Sequence, residues 1–520
     1  MENRTDSDAI VTAAPAGSAM ASRLWQPVPI VFISNACVMI IELVAGRIIA
    51  PYVGVSLYTW TSVIGVVLAG ISLGNYIGGR LADRWASLRM LGIVFLLGGL
   101  SSLGVLAVDW LGSNALTNPS IVVNILIITA ALFFLPAAIL GMVSPIVAKL
   151  AVRDLTRTGT TLGRIYAAGT VGSIVGTFAT GFVLIAWLGT HTIIWIVALV
   201  LMFLGFLLIL NGRWQAMVAL LVVFAGASLV AAEREWLQGP CLRETNYFCI
   251  KVRAEEQAGE DVRVLILDRL VHSYSSLTNP LRLIYGYEQV YAEMVSYRAE
   301  HGGGVDSLFI GGGGYTFPRY MEALFPKADI DVIEIDPGVT QVAYDELGLR
   351  RDTRIVSYNE DARLFLEREP TRAYDFVWGD AFNDFSVPYH LTTKEFNDRV
   401  RAWLKPDGFY VINMIDGPRR PFLRAFVHTL QQTFAHVYIV PTFHGWRDSP
   451  RTTFVLIASD VLLNRHFFDP VEDRVYLMSE LLLSDQVVAE LMAEDRPVLL
   501  TDRYAPVDQM LASVVRDETD

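Results

Sequence analysis

The chain has 520 residues, of which 53% are hydrophobic and only 18% charged, and it carries a formal net charge of −12. That length holds two or three domains, and the shortfall against the roughly 25% charge of ordinary soluble domains excludes a uniformly soluble chain. With no basic stripe in the C-terminal half, nucleic acid is excluded as an expected partner.

Residues 1–27 read as a flexible polar tail, without the apolar core of a cleavable signal peptide. Residues 28–232 then lose almost all charge and read as a multi-span transmembrane domain in the lipid bilayer. Seven apolar stretches stand out, at about 28–50, 57–80, 90–109, 120–148, 164–187, 190–211 and 214–232. The fourth is overlong and holds Pro136 and Pro145, so a kink or break is expected there. Gly65, Gly70, Gly74 and Gly78, and then Gly169, Gly172 and Gly176, predict close helix packing. Glu42 and Arg47 need a partner elsewhere in the fold, or an interfacial place for Arg47.

Arg80, Arg84 and Arg89, then Lys149, Arg153, Arg157 and Arg164, and more weakly Arg213, mark cytoplasmic loops. The segment GGRLADRWASLR (78–89) resembles the cytoplasmic loop after the second span of major-facilitator transporters. Cys37 falls in a span as apolar filler. Cys241 and Cys249 follow the last span; a free pair is the expectation, whereas a disulfide would place them in an oxidising compartment.

Ordinary charge density returns at 233. Residues 233–300 read as a small β lead-in (YFCIKVRAEE, VRVLILDRLVHSY) followed by a helix. Residues 301–520 alternate strands and helices, which predicts an α/β Rossmann-like domain on a parallel sheet. A strand at 308–310 runs into Gly311, Gly312, Gly313 and Gly314 and then a helix, an arrangement that admits a nucleotide close to the backbone. Further strands end near Glu334, Asp361 and Asp380, where ligands of such sheets bind. An acid at Glu334 suits ribose hydroxyls, and Asp361 with Ala362 suits an adenine edge. Helix capping is the plain alternative for Asp361, and a turn for Asp336. The stretch from about 462 to 520 is helical in pattern, with LTDRYAPVD (500–508) at the surface.

On LILDRLVHSY, YAEM (291–294), GGGG, IEID (333–336), EDA (360–362) and YDFVWGDAFND (374–384), the sequence resembles the spermidine synthase family of aminopropyltransferases. It looks most like the bacterial branch with an N-terminal multi-span region. The resemblance covers roughly 240–460. It implies a transfer from decarboxylated S-adenosylmethionine, or from S-adenosylmethionine itself, to a small-molecule amine, without a metal. By position it assigns Asp380 and Asp384 to catalysis, Gly311, Gly312, Gly313, Glu334, Asp361 and Ala362 to the cofactor, and His272, Tyr291, Glu293 and Asn383 to the substrate. It places Asp502 and Tyr504 near the site, with a turn linking helices as the plainer reading of that segment, and implies a homodimer. Three positions depart from the family pattern: Gly314 replaces an acid, Ala292 a His, and Asn383 the second Asp of the catalytic segment. The departures keep two alternatives open, an S-adenosylmethionine-dependent methyltransferase and a non-enzymatic polyamine- or nucleoside-sensing transporter-like protein. The expected location is a bacterial inner membrane. Because adenosyl donors are made in the cytoplasm, the soluble domain is expected there, which requires the count of seven spans to be off by one.

Overall fold

The computed structural model describes residues 26–109, 111, 121–152, 155–210, 213–234, 236–257, 259–381, 387–470 and 475–511. The 1–25 part of the expected tail, and both Asn383 and Asp384, lie outside them. The chain forms two compact units. One comprises residues 1–45, 63–109 and 129–239; the other comprises 46–62, 110–128 and 240–520.

Among the described residues, seven helices are long and apolar enough to cross a membrane: Pro27–Val53, Leu57–Trp85, Leu88–Ala107, Val122–Ala151, Leu155–Trp187, Thr190–Leu210 and Gln215–Glu233. The overlong fourth is interrupted at Met142, between Ile121–Gly141 and Val143–Ala151. Pro145 falls in the first turn of the second piece, where its missing N–H is not needed by the helix. At nine residues that piece is far too short to cross alone, so the break adds no span. The glycines act as spacers: a Cβ on Gly74 would meet the Ala138 carbonyl oxygen at 2.0 Å, and one on Gly172 the Phe32 oxygen at 2.2 Å.

In the other unit, β1 (Arg243–Glu244), β2 (Cys249–Gln257), β3 (Glu260–Leu267) and β4 (Leu270–Ser276) form an antiparallel sheet in that order. Cys241 and Cys249 are joined as a disulfide, with a Cα–Cα distance of 5.3 Å, which corrects the expectation of a free pair. The cause is local: β1 folds back on β2 with Glu244 opposite Cys249, so the intervening turn returns Cys241 to its partner. Arg47 belongs to this unit and donates to the carbonyls of Tyr247 (2.5 Å) and Thr245 (2.6 Å) in the same turn.

The second sheet has seven strands in the order β10-β11-β9-β8-β5-β6-β7. Its parallel part comprises β5 (Ser307–Ile310), β6 (Ile330–Ile333), β7 (Val356–Tyr358), β8 (Tyr374–Gly379) and β9 (Leu404–Asp416). Two further strands, β10 (His436–Pro441) and β11 (Thr452–Ser459), add an antiparallel edge. The link between them is too short for a crossover helix, so only the antiparallel arrangement is open to it. Helix α1 (Gly286–Glu300) leads from the first sheet into β5, and the crossover helices are α2 (Thr316–Leu324), α3 (Pro337–Glu346), α4 (Ala362–Leu366), α5 (Lys394–Trp403) and α6 (Pro421–Leu430). Trp378, Phe376, Phe309 and Phe409 form a buried aromatic layer through the sheet. After β11 the described chain forms only short helices, including α7 (Leu477–Leu481) and α8 (Asp485–Ala493).

Candidate active site

Four buried residues of β5 deliver the chain to the glycine turn. Gly311 (φ 96°) and Gly313 (φ 48°) adopt left-handed backbone that favours glycine. A Cβ on Gly311 would also lie 2.5 Å from the Asp380 carbonyl oxygen. The turn therefore brings the ends of β5 and β8 together.

Glu334 follows β6 and is buried. One carboxylate oxygen accepts N–H bonds from Gly312 (2.8 Å) and Gly313 (3.4 Å), and the other accepts from Asp336 (2.9 Å). Burial raises its pKa above the ordinary carboxylate range, and these amides oppose the rise. Asp336 caps α3 and accepts from the Thr245 hydroxyl at 2.6 Å. Asp361 caps α4 through the N–H groups of Arg363 and Leu364, and its other oxygen lies 3.2 Å from His390 Nε2. Arg363 is anchored by Asp502, by Thr393 Oγ1 (3.2 Å) and by the His390 carbonyl (2.9 Å).

Asp380 follows β8. One oxygen accepts from Asn413 Nδ2 at 2.8 Å and the other from the Tyr287 hydroxyl at 3.2 Å. Burial pushes its pKa up to about 6, against those two hydrogen bonds. Glu288, beside Tyr287 on α1, is buried too and is pushed up to about 8 by desolvation and then by Asp380.

Two cavities meet at Asp380. The first, of about 200 Å³, runs past Gly311, Glu334, Asp361 and Ala362. The second, of about 460 Å³, is lined by Arg269, Tyr285, Tyr287, Asn413 and Arg451. His272, Gly313 and Asp380 face both.

The structure thus brings Gly311, Gly313, Glu334, Asp361, Ala362, His272 and Asp380 to one place, with Gly312 contributing its N–H to Glu334. Two expected substrate residues do not line either cavity. Glu293 accepts the N–H groups of Leu477 (2.5 Å) and Met478 (2.9 Å), and so holds the start of α7. Tyr291 is buried against Phe317 and Trp378, where it packs. Tyr291 sits one helical turn after Tyr287 on the same face of α1, their rings 5.4 Å apart, and Asp380 is near enough to add to the rise in pKa that burial causes, whereas Glu293 is held by α7. Asp502 braces Arg363 and does not line either cavity. Tyr287, Asn413, Arg269 and Arg451 escaped sequence reasoning. Only Asn413 carried a signal, as a polar residue inside the apolar run of β9.

No family model matches the chain. Over 110 residues it is 36% identical to the polyamine aminopropyltransferase of Vibrio vulnificus, a match covering 20% of this chain and 36% of that protein. The chain therefore spans about a third of the length of that relative. It is also 25% identical over 435 residues to polyamine aminopropyltransferase 2 of Streptomyces coelicolor, covering 76% of this chain and 74% of that one. These relatives point to the spermidine synthase, or polyamine aminopropyltransferase, family. The Streptomyces match is too long to be confined to residues 240–520, so the aminopropyltransferase likeness reaches into the apolar half. A stretch of 119 residues matches the human eEF1A lysine and N-terminal methyltransferase at 25% identity, covering 21% of this chain and 17% of that protein. A probable spermidine synthase structure from Corynebacterium glutamicum aligns at 18% identity and a TM-score of 0.43, covering 50% of this chain and 95% of that one.

Proposed function

We propose that the chain is a membrane-anchored aminopropyltransferase that moves an aminopropyl group from decarboxylated S-adenosylmethionine to a di- or polyamine. The observation that carries this reading is Asp380: a half-buried carboxylate held by two neutral donors, at the junction of two cavities, the second of them the roomier. A pKa pushed up to about 6 suits a general base working near neutrality. Glu334 would take a ribose hydroxyl on the lone pair its three amide partners leave free. Asp361 and Ala362 would meet the adenine, with Asp361 fixed in place by capping α4.

The reaction is a displacement at the carbon beside the sulfonium. The neutral amine forms the new C–N bond while the C–S bond breaks, and its electron pair stays on sulfur to give methylthioadenosine. The amine proton passes to Asp380 and from there to water. His272 faces both cavities, so it would flank donor and acceptor. Asp384 and Asn383 are proposed, by position in the catalytic segment, to complete the acceptor side. The test is methylthioadenosine release by the full-length chain from decarboxylated donor and a panel of amines. No product with any amine sinks the reading.

One observation favours a second reading, a methyltransferase on the same cavity. A Cβ at Gly314 would lie 1.9 Å from Ser273 Oγ, so β4 occupies the space of the acid that anchors the aminopropyl amine in the family. Calorimetric titration with the two sulfonium donors separates the readings. Tighter binding of the carboxylated donor supports methyl transfer.

A further inference from the structure

We infer that the α/β domain stands on the extracytoplasmic side of the membrane, with Cys241–Cys249 kept there as a disulfide. This rests on the proposed membrane anchoring but not on the proposed chemistry.

The first observation is parity. Seven spans, with the fourth interrupted but not doubled, put the two ends of the apolar region on opposite sides.

The second is charge. The connections after the second, fourth and sixth spans, with the span ends that flank them, hold Arg80, Arg84, Arg89, Lys149, Arg153, Arg157, Arg164 and Arg213, and the segment before the first span holds Arg4 and Arg23. Of the connections after the first, third and fifth spans, only the first has a Lys or Arg near it, Arg47. Lys and Arg concentrate on the cytoplasmic face of short loops. The even-numbered connections are therefore cytoplasmic, and the chain leaves the seventh span on the other face.

The third is that polar contacts, one of them an ion pair, join span ends in the pattern this topology requires. Lys149, at the end of the fourth span, pairs with Asp83, at the end of the second (2.9 Å). His191, at the start of the sixth, lies 3.4 Å from Asp109, just past the third. Arg47, near the end of the first, meets Thr245 and Tyr247, just after the seventh.

The fourth is independent of all helix counting. Cys241 and Cys249 are bonded within the turn that follows the seventh span. Disulfides persist in oxidising compartments and are rare in the cytosol.

Parity, charge and redox chemistry thus agree on one side. An adenosyl donor for this site would then reach it from outside the cell membrane or through a carrier.

The test uses the full-length chain with a C-terminal alkaline phosphatase or green fluorescent protein, each in cells and in carbonate-washed membranes. The expected result is a carbonate-resistant chain, an active phosphatase and a dark fluorescent protein. In parallel, a Cys37→Ala chain in intact cells is treated with an impermeant maleimide. Labelling is expected only after an impermeant reductant. A fluorescent fusion in carbonate-resistant membranes overturns the inference while leaving anchoring intact. Release by carbonate overturns both. Labelling without reductant, or only after lysis, also overturns it.

Discussion

The two cavities that meet at Asp380 are built from different materials. The first is set by the sheet: a glycine turn, capped helix starts and acids at successive strand ends form its floor, with Tyr247, Phe248, His272 and His390 around them. The second is made of side chains from β4, α1, β9 and β11, with two tyrosines, Asn413 and two arginines. A site made by sheet geometry constrains its ligand through topology, so it varies little with side-chain exchange. A site made by side chains can be rebuilt one residue at a time. The replacement of an acid by Gly314, with Ser273 packed into the space, is such a rebuilding.

The largest effect expected is at the junction. Asp380→Asn removes the proton acceptor and keeps both contacts, because an amide can accept from Asn413 through Oδ1 and donate to the Tyr287 hydroxyl through Nδ2. Turnover is expected to fall about 10²- to 10⁴-fold, with donor binding by calorimetry little changed. A parallel loss of donor affinity would show that Asp380 holds the nucleoside and does not serve both cavities. In the unmutated chain, turnover should rise with pH through about 6 as Asp380 ionises.

Next in size is Glu334→Ala, confined to the first cavity. It removes a carboxylate with hydrogen-bonding capacity toward ribose and strands the amides of Gly312 and Gly313. Hydrogen bonds to charged groups are worth about 1.5–3 kcal/mol, so donor affinity should fall roughly 10- to 100-fold. The acceptor KM at saturating donor should stay where it was. A matched rise in acceptor KM would break the division between the cavities.

How legible each cavity was in the sequence follows from the same difference. Strand, glycine turn, helix and acid recur at fixed spacing, so Gly311, Glu334, Asp361 and Asp380 could be placed before any coordinates existed. The second cavity draws Arg269, Tyr287, Asn413 and Arg451 from four elements far apart in the chain, and no local spacing brings them together. Position within YAEM suggested Tyr291 and Glu293; Tyr291 packs beside Tyr287 one layer behind the lining, and Glu293 holds the start of α7. The antiparallel edge was missed for a similar reason, since apolar runs such as HVYIVP do not declare their direction. The disulfide was missed because eight residues of separation say nothing until β1 is seen to fold back on β2.

A third effect concerns stability. The folded protein raises the pKa of Asp380 above its unfolded value, so the native state binds more protons between about pH 4 and 6. Stability from this group therefore falls as pH rises through that window. Asp380→Asn should then be more stable than the parent at pH 7, by about 3 kcal/mol at most. Thermal unfolding in detergent at pH 4 and pH 7 reads the sign, and the gain should vanish at the lower pH. Equal melting at both values would mean that Asp380 is already solvated or paired.

Gly314→Asp asks whether the second cavity can be turned back toward the family pattern. The new side chain collides with Ser273, and overpacking of this kind costs about 1–3 kcal/mol. Ser273→Gly in the same chain should recover most of that loss. If the double variant is stable and gains turnover with simple diamines, the missing acid was what set acceptor choice. Recovery of stability without any gain would assign that choice to the arginines instead.

The smallest effect is expected at the outer rim of the first cavity, where Asp502 braces Arg363 behind Asp361 and Ala362. The Asp502 side chain is 40% exposed, and exposed ion pairs are typically worth no more than about 1 kcal/mol. Asp502→Asn should therefore leave folding nearly unchanged. Its effect should show as a modest weakening of donor binding, several-fold at most, because Arg363 also has Thr393 and the His390 carbonyl to hold it. A larger loss than that from Glu334→Ala would invert the picture: the nucleoside cavity would then depend on a side-chain brace at its rim more than on the sheet that forms its floor.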